Sequence, residues 1–335
     1  MPRRVGDRIG GLIGAATGQV MVADSTSVNL YKLLHAALTL RPDRRVIVTE
    51  AGNFPSDSYL IDSVAAERGA TVRRESFDVG GEIDSDVAVV CLTHVNYRTG
   101  AMHGMAAVTA RAHRAGALVL WDLAHSAGAM PVHLDALYVD LAVGCGYKFL
   151  NGGPGAPSFA YVAERHHGAL AHPLHGWLGH ASPFEMSDHY APAPGVGQLR
   201  VGTPPLLSLV ALDAALDAFD GINLDTLQKV SQAKAAYFAA AVETACAGHG
   251  FKLLTPIGTG GSQVSLRHPH AYEIVQALVA DGVVGDYREP GIARFGITPL
   301  YTRYADLWEA AERLADVMES GRWKHPDFAI RHAVT

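Results

Sequence analysis

Three runs of apolar residues, 87–92 (VAVVCL), 117–121 (ALVLW) and 141–145 (LAVGC), most constrain what this chain can fold into. A strand with one wet face alternates apolar and polar residues. These runs do not alternate, so each must be buried on both faces. Helical patterns lie between such runs. Leu30, Leu33, Leu34, Ala37 and Leu38 recur at helical spacing within 28–40, and helices predicted over 56–68 and 105–115 stop at Gly69 and Gly116. Further strands are predicted at 19–23, 45–49, 71–75 and 157–162. Strands alternating with helices predict an α/β fold built on a mostly parallel sheet with helices on both faces.

The 335 residues are 49% hydrophobic and 18% charged, enough apolar surface to exclude disorder as a global state. Their length predicts two domains, a large one over 1–220 and a smaller α+β one over 221–335. Residues 182–205 are rich in Pro and Gly and predict a long irregular loop, a feature usually kept for function. Helices are predicted over 206–219 and 224–247. Elements at 251–254, 263–267, 272–281, 283–285, 294–298 and 304–320 make up a mixture of strands and helices.

A net charge of −6 argues against nucleic acid as a partner. Cys91, Cys145 and Cys246 have no paired spacing, which predicts a reducing, cytoplasmic setting. No secretory h-region and no run long enough for a membrane span is visible, and the first structural unit is expected to begin almost at Met1. His166, His167, His172, His175 and His180 lack metal-site spacing, so no metal is expected. The pairs Gly10-Gly11, Gly152-Gly153 and Gly260-Gly261 lack a dinucleotide fingerprint.

The chemistry concentrates between residues 118 and 155. Asp122 ends one apolar strand and Lys148 follows another, with Tyr147 before it and a Gly/Pro turn after it. Ligands of open α/β sheets bind beyond the carboxyl ends of strands, so both residues point to one crevice. Singly, Asp122 reads as a helix cap and Lys148 as a solvated charge. Together they suit pyridoxal phosphate, which needs a lysine for its aldehyde and a carboxylate at its ring nitrogen. Residues 24–29 (DSTSVN) join a strand to a helix and could hold a phosphate, or merely cap the helix. Phe54 could stack on a flat ring, or staple a helix capped at Ser56 or Asp57.

Taken in order, THVNYRTG, WDLAHSAGA, GCGYKFLNGGPG, GWLGH and RFGITPLY resemble the kynureninases over nearly the whole chain. The resemblance implies the fold type I, aspartate-aminotransferase-like architecture with a seven-stranded-type sheet. It implies a cytoplasmic homodimer with active sites at the subunit interface. It also implies hydrolysis of L-kynurenine or its 3-hydroxy form to the anthranilate and L-alanine, in tryptophan catabolism. On this resemblance Lys148 is the lysine that holds the cofactor and Asp122 the acid at its ring nitrogen. Asp57 is a second acid near the ring, and His125 and Thr93 lie beside it. Phe54 stacks on the ring, Thr26 and Ser27 hold the phosphate, and Tyr147 contacts the phosphate and moves protons. Trp177 and Thr203 reach the phosphate from the partner subunit, and Arg294 binds the substrate carboxylate.

The family also carries a segment ahead of the 19–23 strand, with a Gly-Asn-Ser-Leu-Gly-like loop, that has no match in this sequence. Three alternatives stay open. Two are other enzymes of the fold, a class V aminotransferase or a cysteine desulfurase, and the third is a catalytically silent protein that binds pyridoxal phosphate. A desulfurase needs a reactive cysteine on a mobile loop, whereas Cys91 and Cys145 fall in apolar strands and Cys246 near a helix end.

Overall fold

The apolar runs assemble into one sheet. In a computed structural model that describes residues 1–76 and 83–331, its strands are β1 (Val20–Val22), β2 (Val46–Glu50), β3 (Thr71–Glu75), β4 (Val87–Thr93), β5 (Leu118–Asp122), β6 (Leu141–Cys145) and β7 (Ser158–Val162). Their spatial order is β1-β7-β6-β5-β4-β2-β3. The strands from β2 to β6 pair in parallel, and β7 runs antiparallel to both β6 and β1, so β7 alone opposes the others in this sheet. Every residue of β4, β5, β6 and β7 is buried, as strands covered on both faces require.

The chain forms two units by contact, Met1–His94 with His103–Leu224, and Val95–Met102 with the chain from Asp225 onward. In the first, helices α1 (Pro2–Ile13), α2 (Thr26–Leu40), α3 (Pro55–Arg68), α4 (Met105–Arg114) and α5 (Leu206–Ala215) accompany the sheet. The helix predicted over 206–219 tightens to a 3-10 turn at Leu216–Phe219. The irregular stretch 182–205 contains two 3-10 turns, and the second, Gly195–Leu199, buries Val196 and Leu199 in the core.

Helix α1 is not predicted from the sequence pattern. Its buried stripe is Pro2, Val5, Gly6, Ile9, Gly10 and Ile13, and the glycines on that stripe lower its helical propensity. They serve close packing instead. A Cβ on Gly6 would stand 2.3 Å from the Val20 carbonyl oxygen, so α1 lies directly against β1. Arg8 holds the other side, donating to Asp213 Oδ1 at 2.9 Å and Asp217 Oδ1 at 2.7 Å. Gly6→Val is expected to lower stability by about 1–3 kcal/mol through overpacking. Gly11→Ala, in open space on the same helix, is expected to raise it by about 0.5–1 kcal/mol. Thermal melts of the two variants check this opposition of sign.

The second unit carries α6 (Leu224–Ala245), β8 (Lys252–Leu253), β9 (Gln263–Arg267), α7 (Ala271–Ala280), β10 (Asp286–Arg288), β11 (Ile292–Gly296) and α8 (Tyr304–Glu319). Its four strands form an antiparallel sheet in the order β10-β11-β9-β8. No element forms at 283–285, and the strand lies just beyond, at Asp286–Arg288. The reason is local: Gly282 is left-handed (φ 81°) and the Val283 N–H closes the end of α7 on the Leu278 carbonyl. Phe238, Phe295, Ile274, Leu278 and Leu314 centre this unit's core. Residues 95–102 join it through Gly261 N to Gly100 O at 2.8 Å and Gln263 Nε2 to Tyr97 O at 3.3 Å. Among the described residues no helix is long and apolar enough to cross a membrane.

Candidate active site

The sheet brings its chemistry to one edge. Asp24 follows β1, Phe54 and Asp57 follow β2, Thr93 and Asp122 end β4 and β5, and Tyr147 and Lys148 follow β6. Because β7 is reversed, its first residue, Ser158, arrives at the same edge. These residues line a cavity of about 450 Å³. Thr26, Ser27, Phe54, Asp57, Thr93, Asp122, His125, Tyr147 and Lys148 are all among its walls.

Asp57 and Asp122 are buried and hydrogen-bonded to each other. Burial pushes Asp57 well above the carboxylate range, and the charge of Asp122 pushes it further; the Thr93 hydroxyl, 3.3 Å from Asp57 Oδ2, opposes this weakly. Burial raises Asp122 too, but Lys148 and the Ala124 N–H, 2.6 Å from Asp122 Oδ1, pull it back. Burial thus favours the proton on Asp57, while Lys148 and the Ala124 N–H favour the charge on Asp122. Thr93 Oγ1 donates to Asn53 Oδ1 at 2.6 Å, and Asn53 Nδ2 donates to Thr49 Oγ1 at 3.1 Å, which fixes the acids' surroundings.

Lys148 Nζ lies 5.8 Å from the Phe54 ring centre and 5.7 Å from that of Tyr147. Burial, with Cys145 beside it, pushes the half-exposed Tyr147 hydroxyl up to about 12, so it carries its proton at neutral pH. At the other end of the cavity Ser25 caps α2 by accepting from the Val28 N–H. Thr26 Oγ1 is buried with no hydrogen-bond partner in the protein. An orphaned hydroxyl beside the free N–H groups of a helix's first turn is a phosphate cradle by chemistry. The acid pair, the lysine and this cradle together fit pyridoxal phosphate.

Other residues stand elsewhere. Trp177 and Thr203 belong to the same unit but are exposed and do not line this cavity. Arg294 lies on β11 of the second unit, where Nε and Nη2 donate to Asp286 at 2.8 and 2.5 Å and Nη1 donates to Tyr97 O at 2.7 Å. Asn53 and Ser158 belong to the site region but are not predicted as site residues, and Asp24 is predicted only as part of the 24–29 segment. Asn53 is not singled out in the sequence, and the fold places it on Thr93. The histidines of 166–180 serve as loop ties. His166 holds Asp140 at 2.8 Å, His167 the Val162 carbonyl at 2.9 Å, and His175 stacks on Tyr190 at 4.2 Å. All three cysteines are buried and burial raises their thiols, Cys246 to about 11, which is unlike a reactive loop cysteine.

A largely parallel sheet with an acid and a lysine at its strand ends defines the fold type I class of pyridoxal-phosphate enzymes. The structure is similar to that of a cysteine desulfurase from Thermococcus onnurineus NA1, with a TM-score of 0.81 and 19% identity over 95% of this chain and 84% of that one. It is similar also to alanine–glyoxylate aminotransferase from Nostoc sp., with a TM-score of 0.69 and 19% identity over 93% and 86%. Sequence narrows the class. The kynureninase of Burkholderia pseudomallei is 48% identical over all of this chain and 83% of its own length, and that of Pseudomonas fluorescens is 45% identical over the same shares. The family model of the kynureninase C-terminal domain matches residues 227–314. The chain belongs to the kynureninase family of pyridoxal-phosphate-dependent hydrolases.

Proposed function

We propose that this chain holds pyridoxal phosphate in the strand-end cavity and hydrolyses the bond between the side-chain methylene and the ketone of L-kynurenine or its 3-hydroxy form. Water is consumed, and the anthranilate and L-alanine are released. The observation that carries this reading is the buried Asp57–Asp122 pair facing Lys148 in one cavity. Bound there, pyridoxal phosphate supplies an aldehyde that an amine can hold and a protonated ring that takes up electron density from the substrate's α-carbon.

The chain's own residues divide the remaining work. Asp122 would hold the ring nitrogen and favour its protonated form, and Asp57 would orient Asp122. Thr26 and Ser27 take the phosphate with the first turn of α2. Phe54 would stack on the ring, with Thr93 and His125 as neighbouring walls of the cavity. Lys148 Nζ, once the substrate amine replaces it, removes the α-proton. Tyr147, protonated at neutral pH, donates a proton to the substrate as the carbon–carbon bond breaks. Arg294, whose planar guanidinium suits a carboxylate, would take the α-carboxylate in exchange for the Asp286 carboxylate it now holds. A second copy of the chain completes the site with Trp177 and Thr203, a reading supported by their exposure outside the chain's own cavity. The three unpaired thiols support a cytoplasmic setting.

Incubation of the cofactor-loaded protein with L-kynurenine or 3-hydroxykynurenine is expected to release the corresponding fluorescent anthranilate with one equivalent of alanine. A loaded protein that releases neither product from either substrate would sink the assignment.

A further inference from the structure

Lys32 stands on α2, less than two turns beyond the residues that line the cavity, and its side chain is 0% exposed. A lysine is almost never fully buried unless it is paired. Lys32 Nζ donates to Asp24 Oδ2 at 2.6 Å and to the Leu199 carbonyl at 2.7 Å. Asp24 is a wall of the cavity, beside Thr26 and Ser27, and its backbone is left-handed (φ 49°). The Ser158 N–H holds the Asp24 carbonyl at 2.9 Å, which fixes the backbone that carries the carboxylate.

A bare carboxylate on that wall would repel a phosphate dianion, because opposition between like charges grows as water is excluded. The Lys32 ammonium is the group that cancels it. Burial pulls the ammonium below its ordinary value, and Asp24 is the charge that opposes this. The bond to Leu199 ties the same nitrogen to the Gly195–Leu199 turn. That turn also receives buried His172, whose Nε2 lies 3.2 Å from the Gln198 carbonyl.

We propose that Lys32 is a positioning residue for the cofactor's phosphate: it cancels the charge of Asp24 and fixes the turn that leads into α2, where Thr26 and Ser27 receive the phosphate. This rests on the proposed binding of the phosphate at the start of α2.

The test compares the affinity of the apoprotein for pyridoxal phosphate with its affinity for pyridoxal, which lacks the phosphate, by absorbance titration. Lys32→Met keeps the buried stem and removes the charge. It is expected to weaken pyridoxal phosphate roughly 30-fold while leaving pyridoxal within about threefold. Lys32→Met combined with Asp24→Asn is expected to regain most of the loss, because both charges are gone. An equal loss for both ligands, or no recovery in the double variant, overturns the role.

If Lys32→Met does not fold, Asp24→Asn carries the comparison. It is expected to hold pyridoxal phosphate at least as tightly as the parent, whereas loosening of both ligands alike marks a merely structural pair and overturns the role. Thr26→Ala separates this proposal from the reading beneath it, and is expected to cost pyridoxal phosphate about tenfold and pyridoxal nothing. That loss in Thr26→Ala without one in Lys32→Met removes the Lys32 role alone. If neither variant distinguishes the two ligands, the phosphate site falls and the role of Lys32 falls with it.

Discussion

Purified Lys148→Ala is expected to lack the yellow absorbance of lysine-held pyridoxal phosphate and to lose turnover by at least about 10⁴-fold. Two functions end on one atom. In the proposed arrangement Nζ is the amine that holds the cofactor aldehyde and, once displaced, the base at the substrate's α-carbon. No neighbour can take over both. Tyr147 carries its proton at neutral pH, and the cavity's two acids face the other end of the ring in the proposed arrangement. The variant should still bind pyridoxal phosphate non-covalently, because Thr26, Ser27, Phe54 and Asp122 are untouched. Retention of the yellow band after dialysis would remove Lys148 from its place.

The second large effect is an asymmetry between two acids that touch. Asp122→Asn is expected to lower turnover roughly 10²–10³-fold, since it takes the counter-charge from a buried cation. Asp57→Asn is expected to cost less than about tenfold. Burial and the charge of Asp122 both favour the neutral form of Asp57, and an amide can still donate to Asp122. The pH dependence separates them further. Asp57 is held up by burial and by the charge of Asp122. In Asp122→Asn that charge is gone, so Asp57 titrates lower, and its ionised form, which grows as pH rises, can stand in for the lost carboxylate. Residual activity of Asp122→Asn should therefore climb with pH over a range in which the parent does not. Equal losses in the two variants would mean that the charge does not reside on Asp122.

These residues are legible in the sequence alone because fully apolar strands announce a parallel sheet, and a polar residue ending such a strand can point only into the crevice. Thr93, Asp122 and Lys148 stand out for that reason. What is not legible depends on pairings between distant segments. Lys32 reads as one more polar position on α2, and its contact with Leu199 spans 167 positions of sequence. Asn53 goes unmarked in the sequence because its partner, Thr93, lies on another strand. Helix α1 is hidden by the glycines that let it pack, since propensity and close approach oppose each other at Gly6. Residues 283–285 carry an apolar strand signal, but the Val283 N–H is spent on closing α7.

The excursion of residues 95–102 has a consequence for how the chain can be cut and rebuilt. Thr93 and His94 belong to the first unit and Val95 to the second, and the chain is back in the first at His103. The second unit is thus not one continuous piece of sequence. Tyr97 waits for Gln263 and Arg294, 166 and 197 positions downstream, before its carbonyl is satisfied. On a ribosome that unit cannot close until almost the whole chain has emerged, long after the strands of the first sheet are available to pair. For the same reason, a chimera of two relatives joined only near residue 224 would set one parent's 95–102 against the other parent's β9 and β11. A recombination that respects the fold must carry those eight residues across together with the C-terminal third.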